Sequence, residues 1–234
     1  MSEPVRIGLV AEGITDFVVV NAAIEAMLKG RPFVLKLLQP EASVAFFGTG
    51  DAGQHGGGWK GVWSWCSQAR QRSGNLATDI SLELYDLFVI HLDADVADEE
   101  PEATSPIKGL PCSLPCPPAV ATTNELRRVL LQWTGDSRLP PKTVVCIPSK
   151  STEAWVIEAL FPYDKVWKKH GECLPDPSSR LGQQPLLKRL QKSKADFEKH
   201  GPQIQMSWPL VVARLGEAAR FQSDFAAALA ACSE

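Results

Sequence analysis

Three short apolar runs dominate the hydrophobic pattern of the chain and predict buried β-strands. They cover Val5–Ala11, Leu84–Leu92 and Lys142–Ile147, and each is rich in Val, Ile or Leu. Nearly continuous apolar runs are typical of strands that are covered on both faces, as in a parallel sheet. Phe33–Leu38 and Ser43–Phe47 are weaker strand candidates between the first two runs. The pattern therefore predicts a small parallel sheet.

Segments with apolar residues at helical spacing lie between and after these strands. Thr15 or Asp16 is the candidate N-cap of the first helix, and Thr122 or Thr123 is that of the third. The alternation of strands and helices indicates an α/β fold, a small parallel sheet flanked by helices. The predicted helices are Asp16–Leu28, Trp59–Arg72, Thr123–Trp133, Ser151–Leu160 and Ser207–Cys232.

The charge balance changes sign after Pro162. Residues 1–161 carry thirteen Lys and Arg against nineteen Asp and Glu, whereas residues 162–200 carry nine against five. Val96–Pro118 is acidic and then rich in proline, which predicts a long irregular loop. We expect an α/β domain over residues 1–161 and a helical, partly basic C-terminal extension over residues 162–234 that packs on the sheet.

Composition predicts an ordinary soluble protein of the cytoplasm. Hydrophobic residues make up 44% of the 234-residue chain and charged residues 22%. No apolar run approaches the ~20 residues of a membrane span, and the N-terminus lacks the layout of a secretory signal. The six cysteines are scattered, so we expect free thiols. Cys112 and Cys116 have the spacing of half a zinc site, but no second ligand pair accompanies them.

Carboxylates follow the first two strong strands. Glu12 comes directly after Val5–Ala11, and Asp93 and Asp95 follow Leu84–Leu92. Ligands of parallel α/β sheets bind beyond the carboxyl ends of the strands, so we expect these side chains to converge. On an extended segment, Asp93 and Asp95 would point the same way. A cation with a preference for oxygen, Mg²⁺ or Mn²⁺, would relieve their repulsion. The alternative is a set of solvated turn acids.

Two residues beside Glu12 are further candidates for the site. Gly13 would let the backbone turn closely there. Asp16 is interpreted first as a helix N-cap and second as a residue that supports or binds the cation. As one carboxylate among others, Glu12 would have a raised pKa, which suits proton transfer.

The third strong strand leads into S-K-S-T-E, which adds candidates at the same sheet edge. Glu153 is either a first-turn helix acid favoured by the helix dipole or a further metal ligand. Ser149 and Lys150 precede the helix, where backbone N–H groups are able to meet a phosphate. Lys150 would then offset negative charge in a transition state.

Aromatic, histidine and glycine-rich features receive structural interpretations first. Trp155 is expected in the core rather than as a platform for base stacking. His91 is expected to be buried and hydrogen-bonded, and His55 to lie on the surface. Gly48–Gly58 lacks the pattern of a nucleotide-binding P-loop and is predicted to be a flexible connection, with a close approach to substrate as the alternative.

The C-terminal extension holds the one strongly basic stretch of the chain. Lys188, Arg189 and Lys192 belong to it. It is either a solvated helix face or a surface that follows phosphates of nucleic acid, which an acidic site cannot hold by itself. We treat the acidic site and this basic surface as separate regions.

The motifs E-G-I-T-D and L-D-A-D resemble those of the TOPRIM domain. This domain is shared by topoisomerases, primases and nucleases of the overcoming-lysogenization-defect (OLD) family. It carries a glutamate after its first strand and Asp-x-Asp after a later one, which match Glu12, Asp93 and Asp95. Ile147–Leu160 is similar to the Glu-x-Trp helix of a bacterial TOPRIM-like group found among defence-associated proteins. The resemblance covers residues 5–160 and implies a TOPRIM- or Rossmann-like sheet.

The resemblance also implies an activity, the metal-dependent cleavage of phosphodiester bonds in DNA or RNA. Glu12 would be the acid or base or a metal ligand. Asp93 and Asp95 would hold the metal, joined by Glu12 or Glu153. Similar nucleases work beside an ATPase, so we expect a partner ATPase and a role in phage defence. Two alternatives remain, a non-catalytic interaction or regulatory subunit and a nucleotidyl or phosphoryl transferase. Many TOPRIM domains have a glycine soon after Asp-x-Asp, and this chain has Val96–Glu99 instead.

Overall fold

The computed structural model describes residues 3–40, 57–99, 110–186 and 189–232, and all structural statements concern these ranges. Three sequence predictions lie wholly or mostly outside them. They are the strand Ser43–Phe47, the glycine-rich stretch Gly48–Gly58 with His55, and the side chain of Lys188.

The centre of the fold is a parallel sheet, as the apolar runs predict. Its strands are β1 (Val5–Val10), β2 (Phe33–Gln39), β3 (Leu87–His91) and β4 (Thr143–Cys146). They are ordered β2-β1-β3-β4, and every pairing is parallel. β3 begins later than predicted because Ile80–Leu84 forms a 3₁₀ turn. All carboxyl ends therefore meet at one edge, and β1, β3 and β4 are neighbours there.

The two faces of the sheet belong to two apolar cores. Ile7, Leu9 and Val89 contribute to one core, and Phe88 and Ile90 contribute to the other. Successive strand residues alternate between faces, so each strand supplies both cores. This explains why the predicted strands are apolar at almost every position.

Helices of the first region cover both faces. α1 (Ile14–Leu28) and α4 (Glu153–Leu160) pack in the core of Ile7 and Leu9, and α2 (Gly58–Ser73) and α3 (Val120–Thr134) pack in the other. The predicted threonine and aspartate caps are wrong, since Gly13 and Ala119 occupy these positions without a side-chain cap bond. Most of residues 110–118 are irregular, as predicted. The helices are α1 (Ile14–Leu28), α2 (Gly58–Ser73), α3 (Val120–Thr134) and α4 (Glu153–Leu160).

The C-terminal extension is helical and shares a core with the sheet. Its longest helix, α7 (Lys194–Arg214), contacts α1 and α4, and its last helix, α8 (Gly216–Ala231), contacts β4. The predicted tail helix starts earlier than expected, at Lys194, and breaks at Leu215. No helix in the described ranges is both long and apolar enough to cross a membrane. The helices are α5 (Lys165–His170), α6 (Pro177–Gly182), α7 (Lys194–Arg214) and α8 (Gly216–Ala231).

The prediction that all cysteines are free thiols is wrong. Cys116 and Cys173 form a disulfide with their Cα atoms 5.5 Å apart. This bond joins the segment before α3 to the turn Gly171–Cys173 of the extension. It also removes Cys116 from the half zinc site considered with Cys112, which is exposed and free. Spacing alone did not reveal this pair because the cysteines are far apart in sequence.

Candidate metal centre

The loops after three neighbouring strands bring the candidate carboxylates together. Glu12 follows β1, Asp93 follows β3, and Glu153 begins α4 after β4. Asp93 and Glu153 are buried, with 8% and 1% of their surface exposed. Parallel pairing places these three loops at one edge because all strands run in the same direction.

Glu12 contacts the loop that carries Asp93. Its Oε1 accepts a 2.7 Å hydrogen bond from the backbone N–H of Asp93. Its own carbonyl oxygen accepts a 3.1 Å bond from the N–H of Gly58, at the start of α2. Glu12 is therefore fixed between two loops, and its Oε2 is the carboxylate oxygen that this backbone bond leaves unused.

Thr152 connects Asp93 with Asp16. The backbone N–H of Thr152 donates to Oδ1 of Asp93 at 3.2 Å, and its hydroxyl donates to Oδ1 of Asp16 at 2.6 Å. Asp16 is buried in the first turn of α1, so its N-cap interpretation is wrong and its partner lies across the site. Hydrogen bonds of this kind hold carboxylates in the orientation that a bound cation needs.

Gly13 matters because it lacks a side chain and not because it adopts a left-handed backbone conformation. Its backbone is extended, with φ −148°. A Cβ atom at this position would lie 3.2 Å from Oδ2 of Asp16, which is a tight contact. Gly13 thus leaves room for the Asp16 carboxylate beside Glu12.

Asp95 differs from its predicted arrangement with Asp93. The extended segment ends at Asp93, and Ala94–Asp98 forms a 3₁₀ turn. As a result Asp93 is buried whereas Asp95 is exposed, so the two side chains do not share one extended face. Asp98 and Glu99 are also exposed, in agreement with their interpretation as solvated acids.

Glu153 meets a cation from the C-terminal extension. Nζ of Lys192 lies 3.1 Å from Oε1 of Glu153, although 63% of the Lys192 side chain is exposed. The prediction that the basic stretch and the acidic site are separate regions is therefore wrong for Lys192. Arg189 is exposed and lines a pocket together with Glu153 and Lys192.

Several polar groups of the loop between β4 and α4 form hydrogen bonds or ion pairs with other groups of the protein. Lys150 Nζ lies 3.8 Å from Oδ2 of Asp98, and its carbonyl oxygen accepts a bond from Asp95. The N–H groups of Ala154 and Trp155 donate to Ser151 and Thr152. The N–H of Thr152 donates to Asp93, so these three N–H groups are bonded within the protein. The expected contact of Ser149 and Lys150 with a phosphate stays a prediction. Ser149 is buried.

His91, at the end of β3, lies next to the carboxylates. It is fully buried, as expected, but its ring nitrogens have no hydrogen-bond partner in the described part of the chain. Nε2 is 3.1 Å from Oδ1 of Asp93 without the alignment of a hydrogen bond. One ligand atom each from Asp16, His91 and Asp93 lies within 4.8 Å of the others. The sequence signal for His91 is its position two residues before Asp93.

Burial and crowding raise the pKa values of Glu12, Asp93 and Asp95. Burial is the main cause for Glu12, followed by the charge of Asp93. For Asp93 the causes of the raised pKa are burial and then Asp16 and Glu153. Although the Asp95 side chain is exposed, desolvation by the surrounding protein and then the charge of Glu153 raise its pKa. Burial acts to lower the pKa of Lys192, but Glu153 raises it above the usual value.

The ligand atoms at this edge of the sheet suit a divalent cation. The carboxylates of Glu12, Asp16, Asp93 and Glu153 supply oxygen atoms, and Lys192 offsets only part of their charge. Oε2 of Glu153 is buried without a hydrogen-bond partner among the described residues, which is a costly state in a folded protein. A cation would satisfy such lone pairs and reduce the repulsion. Thr152 and Asp16 were not recognised together from the sequence because their contact depends on the fold.

Comparison with protein-family models found no matching family. Searches of curated proteins and of solved structures likewise found no match. The sequence motifs and the geometry of the site are therefore the basis of the function proposed below.

The raised pKa values predict a pH-dependent stability for the metal-free protein. Folded Glu12 and Asp93 bind protons more tightly than they do in the unfolded chain, where their pKa values are about 4. The free energy of unfolding should therefore fall as pH rises from about 5 to 7.5. Thermal melts in EDTA measure this trend, and Glu12→Gln should reduce it. A melting temperature that rises across this range would contradict the prediction.

Proposed function

We propose that the protein is a Mg²⁺- or Mn²⁺-dependent nuclease that cleaves phosphodiester bonds in DNA or RNA. The observation that carries the proposal is the convergence of Glu12, Asp93 and Glu153 from three adjacent parallel strands. Asp16 joins them through Thr152. The resemblance of the motifs around these residues to TOPRIM nucleases supports the same activity.

The protein groups have separate tasks in this proposal. Asp93, Glu153 and Asp16 would hold the cation, with the exposed Asp95 at the solvent side. When bound, the cation would supply Lewis acidity toward a phosphoryl oxygen and neutralise developing charge. Glu12 would carry a proton, and Oε2 is the atom for this because Oε1 accepts the bond from Asp93. The raised pKa of Glu12, due first to burial, suits this task.

A pocket beside the carboxylates supports a substrate that contains phosphate. Its volume is about 330 Å³, and Glu153, Arg189 and Lys192 are among its lining residues. The guanidinium of Arg189 and the ammonium of Lys192 would attract a phosphate toward the acidic edge, where the cation would meet it. Lys150 is a further candidate for contact with the substrate because its side chain lies near Asp98 at the same edge.

A cleavage assay on defined substrates tests the proposal. Purified protein would be incubated with labelled single- and double-stranded DNA and RNA in Mg²⁺, Mn²⁺ or EDTA. We expect shorter products with either cation and none in EDTA. Addition of a nucleoside triphosphate and analysis of product ends separates cleavage from nucleotidyl or phosphoryl transfer. Absence of cation-dependent products, both alone and with the proposed ATPase partner, would argue for a non-catalytic subunit.

Replacing Lys192 with Met should affect cation and nucleic acid in opposite ways. Loss of the ammonium frees Glu153, so affinity for Mn²⁺ should rise by up to about fivefold, the worth of an ion pair in which one partner, here Lys192, is exposed. Affinity for nucleic acid should fall, and its log–log salt slope should decrease by roughly 0.7 to 0.9. Calorimetric titration and filter binding measure the two effects.

Lys194→Met is the matched control for this prediction. Lys194 is two residues away and pairs with Glu198 within α7 rather than with Glu153. It should leave affinity for Mn²⁺ unchanged. Equal effects of the two substitutions on Mn²⁺ affinity would mean that the Lys192–Glu153 contact has no influence on the site.

A further inference from the structure

His91 is the one polar residue of β3, which is one of the two inner strands of the sheet. The other residues of β3 are Leu87, Phe88, Val89 and Ile90, and the whole strand is buried. The His91 imidazole is fully buried, and neither ring nitrogen has a hydrogen-bond partner in the described residues. Proteins rarely leave such groups unsatisfied, so this side chain needs a ligand or a function.

The surroundings of His91 indicate what kind of ligand it would take. Its Nε2 lies 3.1 Å from Oδ1 of Asp93, and a carboxylate oxygen of Asp16 belongs to the same group of atoms, all within 4.8 Å of one another. Thr152 holds both carboxylates through its N–H and its hydroxyl. The arrangement combines one imidazole nitrogen with two oriented carboxylates.

We propose that His91 is a nitrogen ligand of the cation and that the centre selects Mn²⁺ over Mg²⁺. This inference rests on the proposed function, because it concerns the same carboxylate site. Mg²⁺ is bound almost entirely through oxygen, whereas imidazole suits first-row transition metals. An oxygen-only site would need no histidine at the buried end of β3. The ligand class is therefore a divalent transition-metal ion, held by His91 in addition to the carboxylates of Asp16, Asp93 and Glu153.

Magnetic resonance on the unmodified protein tests the ligand directly. The full chain, with histidine labelled with ¹⁵N, would be loaded with Mn²⁺ and examined by pulsed electron paramagnetic resonance. We expect hyperfine coupling from a histidine nitrogen. This measurement requires no substitution, so it does not depend on whether a variant folds.

A titration of variants tests the selectivity. In His91→Gln, Mn²⁺ affinity should fall about tenfold or more, while Mg²⁺ affinity should change less than about threefold. The matched control is His200→Gln in α7, whose imidazole contacts the carbonyl oxygen of Asp196 away from the centre. This control should bind both cations as the unmodified protein does.

The outcomes separate this inference from the proposed function. Nitrogen coupling together with the selective loss in His91→Gln supports the inference. Mn²⁺ bound without nitrogen coupling overturns it, and Asp93-dependent cleavage would then leave the proposed function in place with an oxygen-only site. No binding of Mn²⁺ or Mg²⁺ by the unmodified protein overturns both. Equal affinity for Mn²⁺ in His91→Gln and the unmodified protein also overturns the inference.

Discussion

Asp93→Asn should abolish cation binding at the site and reduce phosphodiester cleavage by at least about 10²-fold. Asp93 lies at the centre of the cluster, close to Glu12, Asp16 and Glu153. Its loss removes a negative oxygen ligand, whereas the Asn carbonyl oxygen keeps the position that accepts the N–H of Thr152. Calorimetric titration with Mn²⁺ and the cleavage assay measure the two effects.

The fold should survive this substitution. Asp93 is buried among other carboxylates, so removal of its charge relieves repulsion, and the metal-free variant should melt no lower than the unmodified protein at pH 7.5. Glu99→Gln is the matched control, since it neutralises an exposed acid in the same segment and should change neither binding nor cleavage. Cleavage at the unmodified rate by Asp93→Asn would place the activity elsewhere or in a contaminant.

The sheet and part of the candidate site could be predicted from the sequence for one physical reason. Buried parallel strands are apolar throughout, so a charged residue directly after such a run marks the carboxyl end of a strand. Glu12 and Asp93 satisfy this condition, and the parallel order of β1, β3 and β4 then brings Glu153 to the same edge. These positions follow from local patterns together with one rule of topology.

Contacts between distant segments could not be predicted in the same way. Asp16 has the position of an N-cap in the sequence, but its partner is Thr152 of another loop. In the sequence, Lys192 is one charge of a basic stretch, and only the packing of the extension brings it to Glu153. The disulfide of Cys116 and Cys173 has the same origin. The predicted arrangement of Asp95 is wrong for a local reason, because the extended backbone ends at Asp93 and a 3₁₀ turn begins at Ala94.

Trp155 connects the candidate site to the C-terminal extension through the core. It lies two residues after Glu153 in α4 and is fully buried. Its ring is 5.3 Å from that of Trp208 in α7 and 5.8 Å from that of Phe221 in α8, measured between centroids. These contacts agree with its interpretation as a core residue rather than as a base-stacking platform.

Trp155→Ala should lower the free energy of unfolding by about 3–5 kcal/mol, as removal of a large buried aromatic side chain does. Trp155→Phe should cost much less, because it retains a ring against Phe221 and removes an indole N–H that has no hydrogen-bond partner among the described residues. Tyr163→Ala is the control, since that aromatic side chain is 77% exposed. Urea unfolding of the metal-free proteins measures all three. A loss below about 1 kcal/mol for Trp155→Ala, together with weaker nucleic-acid binding, would instead favour a role for Trp155 in stacking on bases.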